Sequence, residues 1–129
     1  MRYLLSIYLD ETATASMSPE EGAASSARYQ TVTDEMRAAG VYLGGDGLQP
    51  TATATTVRVR EDERLTIDGP FAETKEQLAG FYLLECKDLD EAIEWATKIP
   101  GAETGSVEVR PVMDYEARDA ARQAASARA

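Results

Sequence analysis

The chain has 129 residues, of which 43% are hydrophobic and 28% charged, which fits one soluble globular domain and leaves little room for a second. Thirteen Lys and Arg against 23 Asp and Glu give a net charge of −10, and without a basic cluster direct binding to nucleic acid is not expected. No apolar run approaches the roughly 20 residues that span a bilayer, so a membrane protein is not expected either.

The first predicted element is a β-strand at Arg2–Leu9. Alternate positions give it one fully apolar face, made of Tyr3, Leu5, Ile7 and Leu9. The apolar run is too short for a signal peptide, lacks a small-residue cleavage site and leads directly into Asp10 and Glu11. We therefore expect a cytoplasmic protein.

A loop rich in Thr, Ala and Ser is predicted through Ser16, and a helix follows it. Ser18 is the expected N-cap, Pro19 occupies the first helical position, and Glu21 completes a capping box. Gly40 is the expected C-terminal stop. The buried stripe of this helix is predicted to contain Tyr29, Val32, Met36 and Ala39.

Short strands are predicted next. Residues 41–43 run into the glycine-rich residues 44–47, whose spacing fits neither a dinucleotide fingerprint nor a P-loop. A bulge or a bent strand is the expected structure there, and it would let a ligand approach the backbone closely. Residues 56–60 alternate between polar and apolar, residues 61–63 form a polar turn, and residues 64–67 return, which predicts a β-hairpin.

Residues 79–86 predict a strand that is apolar on both faces, with Phe81 and Leu83 on one side and Tyr82 and Leu84 on the other. Asp88 should cap a second helix, with Glu91 in the capping-box position, and Pro100-Gly101 should end that helix. Its predicted buried stripe consists of Leu89, Ala92, Ile93, Ala96 and Ile99. Residues 106–112 form the last predicted strand, in which Val107 and Val109 alternate with Glu108 and Arg110.

The predicted order is β-α-β, a hairpin, then β-α-β, which is a ferredoxin-like α+β sandwich with an antiparallel sheet and both helices on one face. Two strands are apolar on both faces, so the uncovered face needs a partner, and a second copy of the same sheet would make a homodimer. We expect residues 1–113 to form this domain and the Ala-rich residues 114–129 to form a solvated or loosely docked helical tail.

Residues 68–77 concentrate charged side chains at a Gly-Pro turn between two strands, where small domains often keep a site. The charged residues are Asp68, Glu73, Lys75 and Glu76. Two roles fit Asp68: a carboxylate that accepts backbone hydrogen bonds within the turn, or a carboxylate at the mouth of a cleft. Phe71 is expected to anchor the loop on the core.

Thr74 and Gln77 match a capping box and predict one short helical turn, whose free backbone amides could hold an anion. Taken singly, Glu73, Lys75 and Glu76 fit solvated surface charges better than site residues.

Arg110 is predicted to point away from the valine face of its strand, into the space between the two sheets of the dimer. A guanidinium there needs either a carboxylate partner, with Asp68, Glu73 and Glu108 as candidates, or an anionic ligand. Tyr82 is similarly open to two interpretations, because tyrosine both fills cores and donates protons.

Histidine is absent, which removes the commonest general base, the usual Ser-His and Cys-His pairs and most zinc sites. No metal or other cofactor is therefore predicted. The single Cys86 cannot form a disulfide within the chain, and its place at the end of an apolar strand predicts a buried, inert thiol.

The Asp-Gly-Pro-Phe turn, the following Glu-Thr-Lys-Glu-Gln and the Ser-Val-Glu-Val-Arg-Pro-Val strand together resemble the DGPF branch of the YCII-related domains, over about residues 1–113. The resemblance implies a dimeric α+β barrel. Characterised relatives in the wider superfamily resemble dehalogenases and lactone-processing enzymes that use a His–Asp pair, which a chain without histidine cannot supply. Many members are encoded beside sigma factors, which implies a regulatory link through protein–protein contact.

Two functions follow from the sequence. The favoured one is binding of a small molecule, including an anionic one, in a pocket between the dimer sheets lined by Asp68, Glu73, Lys75, Glu76 and Arg110. One carboxylate there could act as a base, and whether a reaction is catalysed stays open. The alternative is an accessory or regulatory protein whose acidic surface meets a basic protein partner, such as a sigma factor.

Overall fold

The structure is a computed structural model and describes residues 1–128. Its strands in chain order are β1 (Arg2–Leu9), β2 (Tyr42–Gly47), β3 (Thr55–Arg60), β4 (Glu63–Asp68), β5 (Gln77–Glu85) and β6 (Ser106–Pro111). Its helices are α1 (Glu11–Ala15), α2 (Pro19–Ala38), α3 (Leu89–Lys98), α4 (Gly101–Thr104) and α5 (Tyr115–Arg128). A single 3-10 turn covers Thr51–Thr53.

Four of the strands form an antiparallel sheet in the order β2-β5-β1-β6, and β3 pairs only with β4 in a separate two-stranded ribbon. In this sheet β1 is central, and Leu5 lies opposite Tyr82 on one side and Val109 on the other. The order is the one expected for a ferredoxin-like α+β fold, and the prediction of that fold is confirmed.

The core lies between one face of the sheet and helices α2 and α3. The sheet contributes the buried side chains of Tyr3, Leu5, Ile7, Tyr82 and Leu84, and the helices contribute Val32, Met36, Ala92 and Ala96. These residues fall on the faces that the alternation and the helical spacing predict. Cys86 is also buried, as predicted.

Helix α2 begins with the predicted capping box. The Ser18 hydroxyl accepts a hydrogen bond from the Glu21 amide, and the Glu21 carboxylate accepts one from the Ser18 amide. Gly40 follows the helix with a φ of +74°, a left-handed conformation that glycine adopts without strain. Ala39, predicted on the buried stripe, is exposed instead, because it is the C-cap residue rather than part of the helix.

Two short helices replace segments predicted otherwise. The loop expected through Ser16 contains α1, which Asp10 caps by accepting a hydrogen bond from the Thr12 amide at 2.9 Å. The second predicted helix, α3, ends at Lys98 directly before Pro100-Gly101, as expected, and Gly101 then begins the unpredicted α4. A side-chain cap therefore starts α1, whereas α4 begins after Pro100 without one.

Two members of the predicted α3 stripe are not buried. Leu89 is 47% exposed and Ile93 is 46% exposed, whereas Ala92 is fully buried. Ile93 borders a shallow apolar gap of about 260 Å³ that Val107 and Val109 also line. The helix therefore contacts the sheet through its alanines, and the two large side chains lie at the edge of the contact.

Strand β2 continues through the glycine run that was expected to follow it. Its pairing with β5 shifts register between Tyr42 and Gly44, which confirms the predicted bulge. At Gly45 a Cβ atom would lie 2.6 Å from the carbonyl oxygen of Phe81, so only glycine allows the two strands to approach this closely.

The β3–β4 ribbon confirms the predicted hairpin. Its tip contains Glu61 and Asp62 at φ angles of 51° and 64°, the backbone geometry of a primed two-residue turn. Three of its apolar side chains are about half exposed or more: Val57 at 58%, Val59 at 61% and Ile67 at 49%.

Helix α5 forms most of the predicted tail, and none of its residues is buried. The division into a domain at residues 1–113 and a tail at 114–129 stays a prediction. Among the helices that the structure describes, none combines the length and apolar character needed to cross a bilayer.

Candidate functional site

Asp68 ends β4, where it lies opposite Thr55 and is exposed. The backbone secures the turn that follows it: the Gly69 amide donates to the Ala54 carbonyl at 2.7 Å, and the Gly69 carbonyl accepts a hydrogen bond from the Thr56 hydroxyl at 2.8 Å. Within residues 1–128 the Asp68 carboxylate makes no hydrogen bond, so its solvated oxygens remain free.

The prediction that Phe71 anchors this loop is wrong, because its side chain is 79% exposed. The bonds from Gly69 to Ala54 and Thr56 already fix the loop against β3. An aromatic anchor is therefore not needed to hold the turn.

The short helical turn predicted at residues 74–77 is also absent. The Gln77 side chain donates to the Thr74 carbonyl, and Gln77 itself begins β5. Because Gln77 pairs in the sheet, it cannot complete the capping box, and no set of free helical amides forms here.

The charged side chains of this loop do not gather at one point. Glu76 accepts a hydrogen bond from the Ser106 hydroxyl at 2.8 Å, which connects the loop to the start of β6. Glu73 and Lys75 are exposed, and within the described part of the chain neither makes a side-chain hydrogen bond or an ion pair.

Arg110 forms an ion pair with Glu108 at 2.6 Å, one of the three carboxylates predicted as partners. Its side chain is 69% exposed. Ser106 and Arg110 stand four residues apart on β6, about 13 Å along a strand. Glu76 therefore lies at the start of β6 and Arg110 near its other end, so the two side chains are not neighbours within one chain.

A large concavity lies elsewhere, between α2 and the sheet. It has a volume of about 880 Å³, within the range of sites that hold small molecules. Its cause is visible in the sequence: residues 22–27 of α2 are all glycine, alanine or serine, and side chains this short leave the space open. The buried residues of α2, Val32 and Met36, both lie in its second half. We call this space the α2 cleft.

Three tyrosines line the α2 cleft: Tyr29, Tyr42 and Tyr82. The rings of Tyr42 and Tyr82 meet edge to face, with centroids 6.3 Å apart and planes at 73°. Thr33 contacts both Tyr29 and Tyr82. Its hydroxyl donates to the backbone carbonyl of Tyr29 at 2.8 Å and lies 2.8 Å from the Tyr82 hydroxyl. Burial raises the pKa of Tyr29, an effect that the Gly101 backbone partly offsets, so its phenol stays neutral near pH 7.

An ion pair borders the same cleft. Arg28 of α2 donates from both terminal nitrogens to the Glu103 carboxylate, with Nη1 at 3.1 Å. This hydrogen bonding and the charge of Arg28 lower the pKa of Glu103. Both side chains are more than half exposed, so the pair adds little to stability, but it neutralises the guanidinium.

Sequence reasoning missed the cleft, although it named two of its tyrosines. Tyr29 was predicted to lie in the core, Tyr82 was given two possible roles, and residues 44–47 were predicted to allow a ligand close to the backbone, whereas Thr33 and Arg28 were not predicted. The available signal was the run of small residues at 22–27, because a helix that lacks large side chains over two turns cannot fill the space beneath it.

No three potential metal ligands among His, Cys, Asp and Glu gather within residues 1–128. The chemistry that the cleft offers is that of phenols, hydroxyls, carboxylates, one ion-paired guanidinium and apolar surface.

Comparison with known proteins gives two matches. A family model for the YCII-related domain matches residues 1–116, which span the sheet, the ribbon and the α2 cleft. The chain is also similar to an uncharacterised protein of Rhizobium meliloti (strain 1021), with 42% identity over 118 residues that cover 90% of this chain and 95% of the relative.

Proposed function

The chain belongs to the YCII-related domain family, and we propose that within this family it acts by binding a small molecule in the α2 cleft. The observation that carries the proposal is a space of about 880 Å³ beneath a helix whose residues 22–27 have only small side chains. A site of this volume, mostly apolar with a few polar groups, is typical for small organic ligands.

This proposal moves the pocket away from the loop at residues 68–77. Asp68, Glu73, Lys75 and Arg110 are exposed, and these residues and Glu76 lie outside the lining of the cleft. An anionic ligand would depend on Lys75 or Arg110, and Arg110 already has Glu108 as its partner.

The test fills the cleft without touching the core. Ala24 lines the cleft and is exposed on α2, so Ala24→Phe places a ring in the space, whereas Ala23→Phe adds the same ring at an exposed position outside the lining. We expect native mass spectrometry of the protein, isolated gently from its own cells, to detect a stoichiometric small molecule on the wild type and on Ala23→Phe. Ala24→Phe should have lost it.

Two results would contradict the proposal. A wild-type protein that is consistently empty would argue against a resident ligand, and equal retention by both variants would locate the ligand outside the cleft. Circular dichroism of both variants controls for the fold.

A second copy of the chain is part of the proposal. The sheet face opposite the helices contains Leu4, Tyr8, Phe81 and Leu83, all half-buried, and among the described elements no helix lies over it. A face-to-face homodimer would cover these side chains.

The ribbon favours a second candidate function, that of an accessory or regulatory protein. One of its faces exposes Val57 and Val59, and its tip is the acidic turn at residues 61–63. Such a surface suits a partner protein with a basic groove, and a sigma factor is the partner class that the family resemblance implies. Reversing the charges of the tip should abolish co-purification with any such partner, and a partner retained by that variant would exclude this surface.

A further inference from the structure

The charged groups on the helix side of the α2 cleft are already engaged within the protein. They are the carboxylates of Asp10, Glu21 and Glu103 and the guanidinium of Arg28. Arg28 gives both terminal nitrogens to Glu103. The other two carboxylates each accept a backbone amide at the start of a helix, Asp10 at α1 and Glu21 at α2. Within residues 1–128 these groups offer a ligand neither a free cation nor an unengaged carboxylate.

Asp46 of the edge strand β2 also borders the cleft, but its carboxylate faces away from it. Asp46 lies opposite Phe81 in the sheet, whereas its neighbour Gly45 lies opposite Tyr82. Since side chains alternate between the two faces of a strand, Asp46 shares the face without helices with Phe81, and Tyr82 points toward α2. The polar groups that the cleft leaves for a ligand are therefore uncharged.

The first of these groups is the Tyr82 hydroxyl, which can only accept a hydrogen bond from a ligand. A threonine hydroxyl has one proton, and the bond from Thr33 to the Tyr29 carbonyl uses it. The Tyr82 hydroxyl, 2.8 Å from that of Thr33, must then donate its own proton to Thr33. The Tyr82 oxygen keeps only lone pairs, on a side chain that is 7% exposed, so a donor from a ligand would satisfy it.

The second group is the Tyr29 hydroxyl, which has a proton to donate. It lies beside Gly101, where a Cβ atom would stand 2.8 Å from the phenol oxygen. The Gly101 backbone lowers the pKa of Tyr29, which is the effect of an amide that donates to the phenol oxygen. Within residues 1–128 the proton of this hydroxyl has no acceptor, so it is available to a ligand.

The two hydroxyls belong to one part of the cleft. Tyr29 and Thr33 stand four residues apart on α2, which places them on the same face of the helix within about one turn. Because Thr33 contacts the Tyr82 hydroxyl, the acceptor of Tyr82 lies about one helical turn from the residue that carries the donor. Ile7 and Leu9 of β1 add apolar surface to the same lining.

From these groups we propose that the α2 cleft selects an uncharged molecule whose polar group, a carboxamide or a hydroxyl, both accepts and donates a hydrogen bond on an apolar body. The acceptor of the ligand would take the Tyr29 proton, its donor would bond to the Tyr82 oxygen, and its body would lie along β1. A charged ligand would lose hydration in this space without gaining a counterion. This inference rests on the proposed function, since it names the class of ligand for the same cleft.

The first test compares probes of nearly equal size that differ in charge. 2-Phenylacetamide and 2-phenylethanol are uncharged and both accept and donate, whereas phenylacetate and phenethylamine are charged near neutral pH. Chemical shifts of the labelled full-length protein give an affinity for each. We expect each uncharged probe to bind about tenfold more tightly than either charged probe, because a charge without a counterion is costly to desolvate. The affinities of the amide and the alcohol relative to each other then distinguish the two polar groups.

Two substitutions assign the donor and the acceptor, with the help of methyl phenylacetate, an ester that accepts a hydrogen bond but donates none. Tyr29→Phe should weaken both 2-phenylacetamide and the ester about fivefold, the size of one neutral hydrogen bond. Tyr82→Phe should weaken the amide by a similar factor and leave the ester within about twofold, which also shows that its cleft is intact. Tyr115→Phe is the matched control and should change neither affinity, since Tyr115 is 61% exposed and lies outside the lining.

The outcomes separate the two proposals. If phenylacetate or phenethylamine binds as tightly as the uncharged probes, the preference for an uncharged ligand is overturned while the small-molecule site stands. If 2-phenylacetamide binds to Tyr29→Phe and Tyr82→Phe as tightly as to the wild type, it binds elsewhere and this inference is overturned. If none of the probes binds at millimolar concentration, the site itself is overturned, and the proposed function with it.

Discussion

Gly45 shows how one residue sets the spacing of two strands. Its partner across the sheet is Tyr82, and the carbonyl oxygen of the preceding residue, Phe81, lies 2.6 Å from where a Cβ atom would stand. Gly44, next to it, has nothing within 4 Å of the same position. The two glycines therefore look alike in the sequence but differ in how much a substitution would lower the free energy of unfolding.

We expect Gly45→Ala to lower the free energy of unfolding by about 1–3 kcal/mol, because the new methyl group forces β2 away from β5. Gly44→Ala should change it by no more than about 0.5 kcal/mol. Urea denaturation of the two variants measures both values. Equal effects would mean that β2 relaxes around either methyl group.

Cys86 gives a prediction that depends on pH. Burial, aided by Glu91, raises the pKa of its thiol from 9.0 to about 11. Iodoacetamide should therefore label the native protein slowly at pH 8 and label it rapidly in urea. Rapid labelling of the native protein would show that the thiol is accessible.

The same shift affects stability in a defined direction. The folded state holds the thiol proton more tightly than the unfolded state, so the contribution of Cys86 is complete below about pH 9 and is lost as the pH rises through about 11. The difference in stability between the wild type and Cys86→Ala should shrink over that interval. A constant difference would mean that the thiol titrates alike in both states.

At the scale of elements, Glu11 connects three segments that are distant in the chain. Its carboxylate accepts hydrogen bonds from the Thr51 amide at 2.7 Å and the Thr51 hydroxyl at 2.8 Å, and its amide donates to the Gln77 side chain at 3.0 Å. These bonds join α1, the 3-10 turn and the start of β5.

Glu11→Ala should lower the free energy of unfolding by about 1–2 kcal/mol, because two donors of Thr51 lose their acceptor. Hydrogen exchange at the Thr51 amide should accelerate in this variant. Glu94→Ala, at an exposed position inside α3, is the control and should leave that amide unchanged. Unchanged exchange in Glu11→Ala would mean that the bonds are not populated.

The elements that sequence reasoning predicted correctly are those whose signals are local. Ser18, Pro19 and Glu21 specify the start of α2 within four residues, and alternation places β1 at its observed bounds. Residues 74–77 carried an equally local signal and were misassigned, because pairing with β1 takes Gln77 into β5. The contact between Glu76 and Ser106 spans 30 positions, and no local pattern encodes it.

At the scale of the whole molecule, the open face of the sheet leads to a prediction about assembly. Leu4 and Leu83 lie directly opposite each other on β1 and β5, and both are half-buried on the face without helices. In the proposed homodimer this pair would lie within the interface.

We expect sedimentation to show a dimer for the wild type and a monomer for Leu83→Arg, because the interface would have to bury an unpaired charge. Leu89→Arg is the control, since Leu89 is 47% exposed on α3, and it should remain a dimer. A monomeric wild type at micromolar concentration would rule out the face-to-face arrangement.

Helix α2 divides two tasks along its length. Val32 and Met36 hold its second half on the sheet, whereas residues 22–27 only bound a space. Evolution can therefore exchange one small side chain for another in the first half and change which molecules fit, at little expense in stability. If the proposed ligand occupies the α2 cleft, substitutions within residues 22–27 would change which ligand fits without disturbing the half of the helix that holds it on the sheet.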